Sequence, residues 1–242
     1  MIPVFIKEIN SFLNSLMGYL VIAVFLVAMG LLMWVFPETS VLDYGYAEMG
    51  TLFSTGPYVL IFLVPAITMR SFAEERKLGT LDLLMTKPVT ESGVVIGKFM
   101  AAFVLVILSV LPTVVYYFAL SSLANPAGNI DTPGVIGSYI GLILLGGVFC
   151  TIGLFASSIS SNQIVSFILA AFFCFLFYTG FDAVSSLFAD GSLALLAKQW
   201  GILYHYESLS KGLIDSRDLV YFISLGGVWL LAAKTVLSSR TW

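Results

Sequence analysis

Six long apolar stretches without a single Asp, Glu, Lys or Arg set what this chain can become. They cover approximately residues 18–36, 52–69, 99–123, 135–157, 163–181 and 219–233. About 20 apolar residues make a helix long enough to cross a bilayer. Within hydrocarbon, a helix satisfies its own backbone N–H and C=O groups. The expected fold is therefore an all-α integral membrane protein with six transmembrane helices. Composition agrees, since only 10% of the 242 residues are charged, against roughly 25% in soluble domains. The segments between the stretches are shorter than the ~50 residues a separate domain usually needs. Residues 1–242 are thus expected to form a single membrane domain.

The sixth stretch is the shortest and borrows Lys234, whose aliphatic stem can lie along the helix while its ammonium reaches water. The first is too long for a signal-peptide core. Phe36-Pro37-Glu38 follows it instead of a small-residue cleavage site, so it is expected to stay attached.

Orientation follows from Lys and Arg in short connections. Lys7, the five basic residues of 70–98, Lys234 and Arg240 fall on one side, and Lys198, Lys211 and Arg217 on the other. The eight-to-three split places both termini in the cytoplasm.

Before the first stretch, Phe5, Ile9, Phe12, Leu13 and Leu16 recur at three- and four-residue spacing. Lys7, Glu8, Asn10, Ser11, Asn14 and Ser15 fill the other face. This predicts an amphipathic helix with Pro3 in its first turn, lying in the membrane interface. Gly137 and Gly141 form a small-xxx-small pair that permits close helix contact. Pro65 and Pro112 are positions for kinks, and Cys150 and Cys174 read as apolar fillers inside spans. The connection 158–162 is short enough to make spans four and five antiparallel neighbours. The segment 182–218 is too apolar around 192–204 for open water and too short to cross, which predicts partly embedded outer helices turning at Asp190-Gly191. Asp215 then resembles an N-cap with an acidic third position, Asp218.

Catalytic chemistry has little to stand on. Residues 93–99 superficially suggest a phosphate loop, but the glycine spacing is one short and Phe99 replaces the Ser/Thr that would hold magnesium. The charge-free stretches lack the intramembrane Asp, Glu, His or Arg of ion-coupled transporters. His205, the one histidine, makes no zinc site alone and lies in no G-x-S-x-G context; between Tyr204 and Tyr206 it reads as a hydrogen-bonding anchor. No catalytic, cofactor or metal residue is expected, and no nucleic-acid partner.

What remains is 70–98, the polar connection after the second stretch. Glu74, Glu75, Arg76 and Lys77 make a charged first half. Gly79-Thr80 breaks it, and Leu81, Leu83, Leu84 and Met85 form an apolar second half ending before Pro88. Thr90-Glu91 can cap a helix entering the third stretch. A short helix at the cytoplasmic face, tethered to spans at both ends, can pass a push from a soluble partner into the membrane. A membrane scaffold that recruits cytoplasmic proteins through 70–98 without transporting anything is the alternative.

The pattern E-E-x-x-x-G-T-x-x-x-L at 74–84, followed by Pro88 and Gly97-Lys98, resembles the coupling segment of ABC-2 type exporter permeases, which share the type V exporter fold. Four further stretches narrow the likeness: ITMRSFAEE (67–75), GSYIGL (137–142), YHYES (204–208) and KGLIDSRDL (211–219) are similar to the gliding-motility ABC transporter permease of Bacteroidota. The resemblance implies a permease subunit of an ATP-driven exporter or mechanotransmitter, serving gliding motility and its associated secretion. It implies cytoplasmic ABC ATPase subunits that bind the ATP and magnesium, a second permease-type subunit with a large extracytoplasmic region, and contact with membrane lipids. The coupling interface it marks comprises Glu74, Glu75, Arg76, Gly79, Thr80, Leu83 and Leu84.

In a version with Cys150 and Cys174 replaced, single cysteines at Ser92 and Asn129 should differ in labelling by a membrane-impermeant maleimide. Intact cells are expected to label position 129 and spare position 92; labelling of 92 from outside would reverse the orientation.

Overall fold

A computed structural model describes residues 1–43, 47–81, 89–188 and 191–239. The N-terminal helix α1 (Ile2–Leu13) precedes α2 (Leu16–Trp34), α3 (Gly50–Thr68) and the short α4 (Ala73–Lys77). Then come α5 (Glu91–Val110), α6 (Val114–Leu123), α7 (Thr132–Ile159), α8 (Gln163–Phe175), α9 (Phe181–Ser185), α10 (Gly191–Trp200), α11 (Ile202–Ser210) and α12 (Ser216–Ser238). Six stretches of the described chain are long and apolar enough to cross a membrane: Leu16–Trp34, Gly50–Lys77, Glu91–Leu123, Thr132–Ile159, Gln163–Ser185 and Ser216–Ser238. They coincide with the six apolar runs.

Local chemistry sets the helix ends. Thr90 Oγ1 accepts from Gly93 N at 3.2 Å, Asp131 from Gly134 N at 3.2 Å, and Asp215 from Arg217 N at 2.9 Å. Each bond satisfies one of the N–H groups that a first helical turn leaves without a partner. Pro112 falls in a 3-10 turn, Leu111–Thr113, that separates α5 from α6, whereas α3 runs helically through Pro57 and Pro65. The capped start of α5 lies before the apolar run, so Lys98 belongs to the helix, not to the loop. Asp218 likewise sits inside α12.

Span four, α7, is the centre of the bundle: α3, α5, α8, α11 and α12 all pack on it. In lipid, apolar burial gives little net drive for helix association, and close van der Waals approach matters more. Gly137 and Gly141 supply that approach. A Cβ added to Gly137 would lie 2.7 Å from Gly212 Cα, and one added to Gly141 would lie 2.7 Å from Leu209 Cβ. The groove they leave is filled by α11, which buries Ile202, Tyr206 and Leu209. Two hydrogen bonds seat that helix: Tyr206 donates to Phe53 O at 2.7 Å and Ser138 to Ser210 O at 2.7 Å. Of the two helices at this far end, α11 is thus anchored in protein, while α10 buries none of its residues. The helix boundary between them falls at Gly201; Asp190, expected at a turn, lies outside the described residues. Spans one, five and six keep broad apolar faces open, including Val24, Phe172 and Leu231.

Gly137→Ala should separate packing from propensity. Alanine favours a helix by roughly 0.5–1 kcal/mol, yet overpacking against a backbone costs about 1–3 kcal/mol. The substitution is expected to lower the thermal unfolding midpoint of the detergent-solubilised protein. Gly227→Ala, where the new methyl meets nothing within 4 Å, should hold it or raise it slightly. Equal responses would mean that the contact with Gly212 carries no load.

Candidate functional site

The polar connection after span two folds back against the end of span four. A turn over residues 69–72 leads into α4, whose first N–H groups find no partner inside so short a helix. Ser157 supplies one from α7: its hydroxyl accepts from Phe72 N at 3.0 Å and Ala73 N at 3.1 Å, and donates to Met69 O at 3.0 Å. The exchange is reciprocal. Arg76 of α4 donates to Ile159 O at 2.7 Å and to Ser158 O, covering carbonyls that the last turn of α7 leaves open. Hydrogen bonds to a charged donor are worth about 1.5–3 kcal/mol each, so α4 is bolted to span four. Gly79 adopts φ +67° just past α4, the left-handed conformation that ends a helix cheaply only with glycine, and Thr80 Oγ1 donates to Glu75 O at 3.3 Å.

Beside this clamp lies a buried ionic cluster. Lys98, 2% exposed, directs Nζ at Glu8 Oε1 (2.8 Å), Ser71 O (2.7 Å) and Glu75 Oε1 (3.0 Å), with the Phe72 ring centroid 5.2 Å away. Three elements meet on one ammonium: α1 through Glu8, α4 through Glu75, and span three through Lys98 itself. Lys7 adds a second cation, 2.9 Å from Glu75 Oε1. Partial burial works against its charge, but the Glu75 and Glu8 carboxylates together outweigh that and hold the Lys7 pKa above its ordinary value. Arg70 pairs with Glu74 at 3.0 Å on the adjoining rim. Three cations thus face three carboxylates around a cleft of about 220 Å³. Val4, Phe72, Leu81, Val95, Leu154 and Leu237 pack into a small apolar cluster at the same end. Ser238 of α12 donates to Glu91 there, which ties span six to the head of span three.

Glu74, Glu75 and Thr80 line the cleft, Arg76 turns to span four, and Gly79 ends α4 beside them. Leu83, Leu84 and Pro88 lie outside the described residues. Glu75 and Arg76 are turned into the protein: the first is spent on Lys98 and Lys7, the second on span four. Glu74, bonded to Arg70 on the rim, is the more open of the two carboxylates. The sequence reading missed Glu8, Lys98 and Ser157. Helix α1 presents Val4 and Glu8 to the protein and leaves Ile2, Ile6 and Leu13 exposed, so a residue assigned to its polar face turns inward. One signal was available: Lys98 stands two helical turns beyond the Thr90 cap, already inside a helix bound for the membrane.

A family model described as ABC-2 family transporter protein matches residues 2–208. No curated protein matches the chain in sequence.

The cluster makes a stability prediction. Removing one partner of a buried ion pair costs about 3–5 kcal/mol, because the other charge stays buried without compensation. Lys98→Met should therefore destabilise the solubilised protein strongly and expose α1 to protease. Adding Glu8→Gln and Glu75→Gln to Lys98→Met should restore most of the loss. A triple variant no more stable than the single one would show that packing, not charge, holds these elements.

Proposed function

Because the chain belongs to the ABC-2 transporter family, we propose that it is the transmembrane permease subunit of an ATP-driven exporter or mechanotransmitter. ATP is bound and hydrolysed on separate ABC ATPase subunits, and 70–98 is where they dock. The observation that carries this reading is the double attachment of α4. Arg76 and Ser157 fix it to span four, and Glu75 fixes it through Lys98 to span three and α1. A displacement applied to α4 by a closing ATPase pair therefore moves the central span and its neighbours together. An ordinary connecting loop would absorb the same displacement in its own backbone.

The asymmetry of Lys and Arg supports a cytoplasmic position for this end, and the likeness to exporter permeases supports the inner membrane. The four short stretches that resemble gliding-motility permeases support that system, with a second permease-type subunit carrying the large extracytoplasmic region that this chain lacks among its described residues. The open apolar faces of spans one, five and six suit lipids and such a partner.

In this mechanism the two halves of the docking segment do different work. Leu83 and Leu84 seat in a groove of the ATPase, and Glu74 meets donors at its rim, while Glu75 works inward. Burying a leucine contributes about 1.5–3 kcal/mol, whereas an exposed ion pair contributes roughly 0–1 kcal/mol. Replacing Leu83 and Leu84 with Ser should cut co-purification of the ATPase sharply. Glu75→Gln should leave the ATPase bound and reduce the coupling of its hydrolysis to motility. Full assembly and full motility with the double Ser variant would reduce 70–98 to a plain loop.

A further inference from the structure

At the opposite end of the bundle, His205 lies between two acceptors. Its Nδ1 is 2.7 Å from Asp218 Oδ1 and its Nε2 is 3.0 Å from Gln199 O. The ring stacks on Tyr221, with centroids 3.9 Å apart and planes inclined at 21°, and Tyr221 donates to Trp200 O at 2.8 Å. A carbonyl only accepts, so Nε2 carries a hydrogen. An ionised Asp218 also only accepts, so Nδ1 requires a hydrogen as well. A neutral imidazole has one N–H and can satisfy one of the two. Both bonds form together only when the site holds an additional proton, as an imidazolium against a carboxylate. With Nε2 committed to a main-chain carbonyl, the pair is not arranged as a general base.

The two acceptors belong to different elements. Gln199 lies in the last turn of α10, which buries no residue, and Asp218 is a buried residue of span six. We propose that His205 is a proton-operated latch that holds α10 against span six. Protonation from solvent closes it. Loss of the proton leaves one acceptor unmatched, so α10 is held more loosely as the pH rises and pivots on the Tyr221–Trp200 bond, which needs no added proton. Other ionisable groups at this end do not take over the role. Lys198 of α10 pairs with Asp182 at 3.0 Å, and Glu207 lies beside them. Asp215 and Arg217 are exposed at the head of α12. Spans two, four and five contribute the phenols Tyr58, Tyr139 and Tyr178, and Asp131 caps span four. Which compartment's pH is sensed rests on the orientation proposed above; the latch itself does not.

Spin labels at Leu195 of α10 and Leu123 of α6, with Cys150 and Cys174 replaced by Ala, report the latch in the full chain in lipid nanodiscs. Their distance distribution should be single and narrow at pH 5 and gain a second population by pH 9. His205→Phe keeps the ring stack but removes both bonds, and should show the second population at every pH. Asp218→Asn gives the opposite result. The Asn amide donates to Nδ1 while Nε2–H still reaches Gln199 O, so a neutral ring makes both bonds and the narrow distribution persists to pH 9. A wild-type distribution indifferent to pH overturns the proposal. So does an Asp218→Asn variant that opens with pH as the wild type does, and this arm stands even if His205→Phe fails to fold. Neither readout involves an ATPase or the docking segment, so failure here would leave the transporter reading intact.

Discussion

One ammonium group organises the basic end of this molecule. Lys98 is removed from water, and a lone charge in that position would cost several kcal/mol. The surroundings answer it with two carboxylates, a carbonyl and an aromatic face: Glu8 from α1, and Ser71, Phe72 and Glu75 from the turn at 69–72 and the start of α4. Because no single one of these satisfies the charge, the elements that carry them must arrive together. The position of α1, the turn at 69–72 and the direction of α4 are consequences of that requirement. Apolar contacts alone would tolerate sliding; a buried cation with three short oxygen contacts does not.

The site is consequently a set of mutual obligations rather than a surface patch. Ser157 caps the start of α4 and Arg76 caps the end of α7, so neither helix terminus is complete without the other. Such reciprocity suits a part that must transmit displacement, since either side yields only with the loss of charge-assisted bonds.

The spans were legible because lipid permits few alternatives: long charge-free runs become helices. Thr90, Asp215 and Gly79 were legible because caps and left-handed turns are written in single residues. The contact at Gly137 and Gly141 was legible as a possibility, though not its occupant, the helix carrying Leu209. Lys98 and Glu8 escaped because their meaning is relational. They stand 90 positions apart, and each alone looks like an ordinary polar residue of an interfacial helix or loop. Asp218 was read as a helix-start charge, yet it turns inward to a histidine that only the packing of α11 on span four delivers.

Helix α7 runs without interruption for 28 residues. At 1.5 Å per residue that is about 42 Å, well beyond a hydrocarbon core of about 30 Å. The central rod is therefore longer than the hydrocarbon layer it crosses, and the clamp formed by Ser157 and Arg76 sits at one of its tips. Bilayer thickness then becomes a mechanical variable. A thicker membrane draws the Arg76 contact toward acyl chains, where its exposed edge is harder to hydrate, and a thinner one lifts the contact toward water. The lipid in which the protein is embedded thus tunes the stiffness of the joint between α4 and the transmembrane rod.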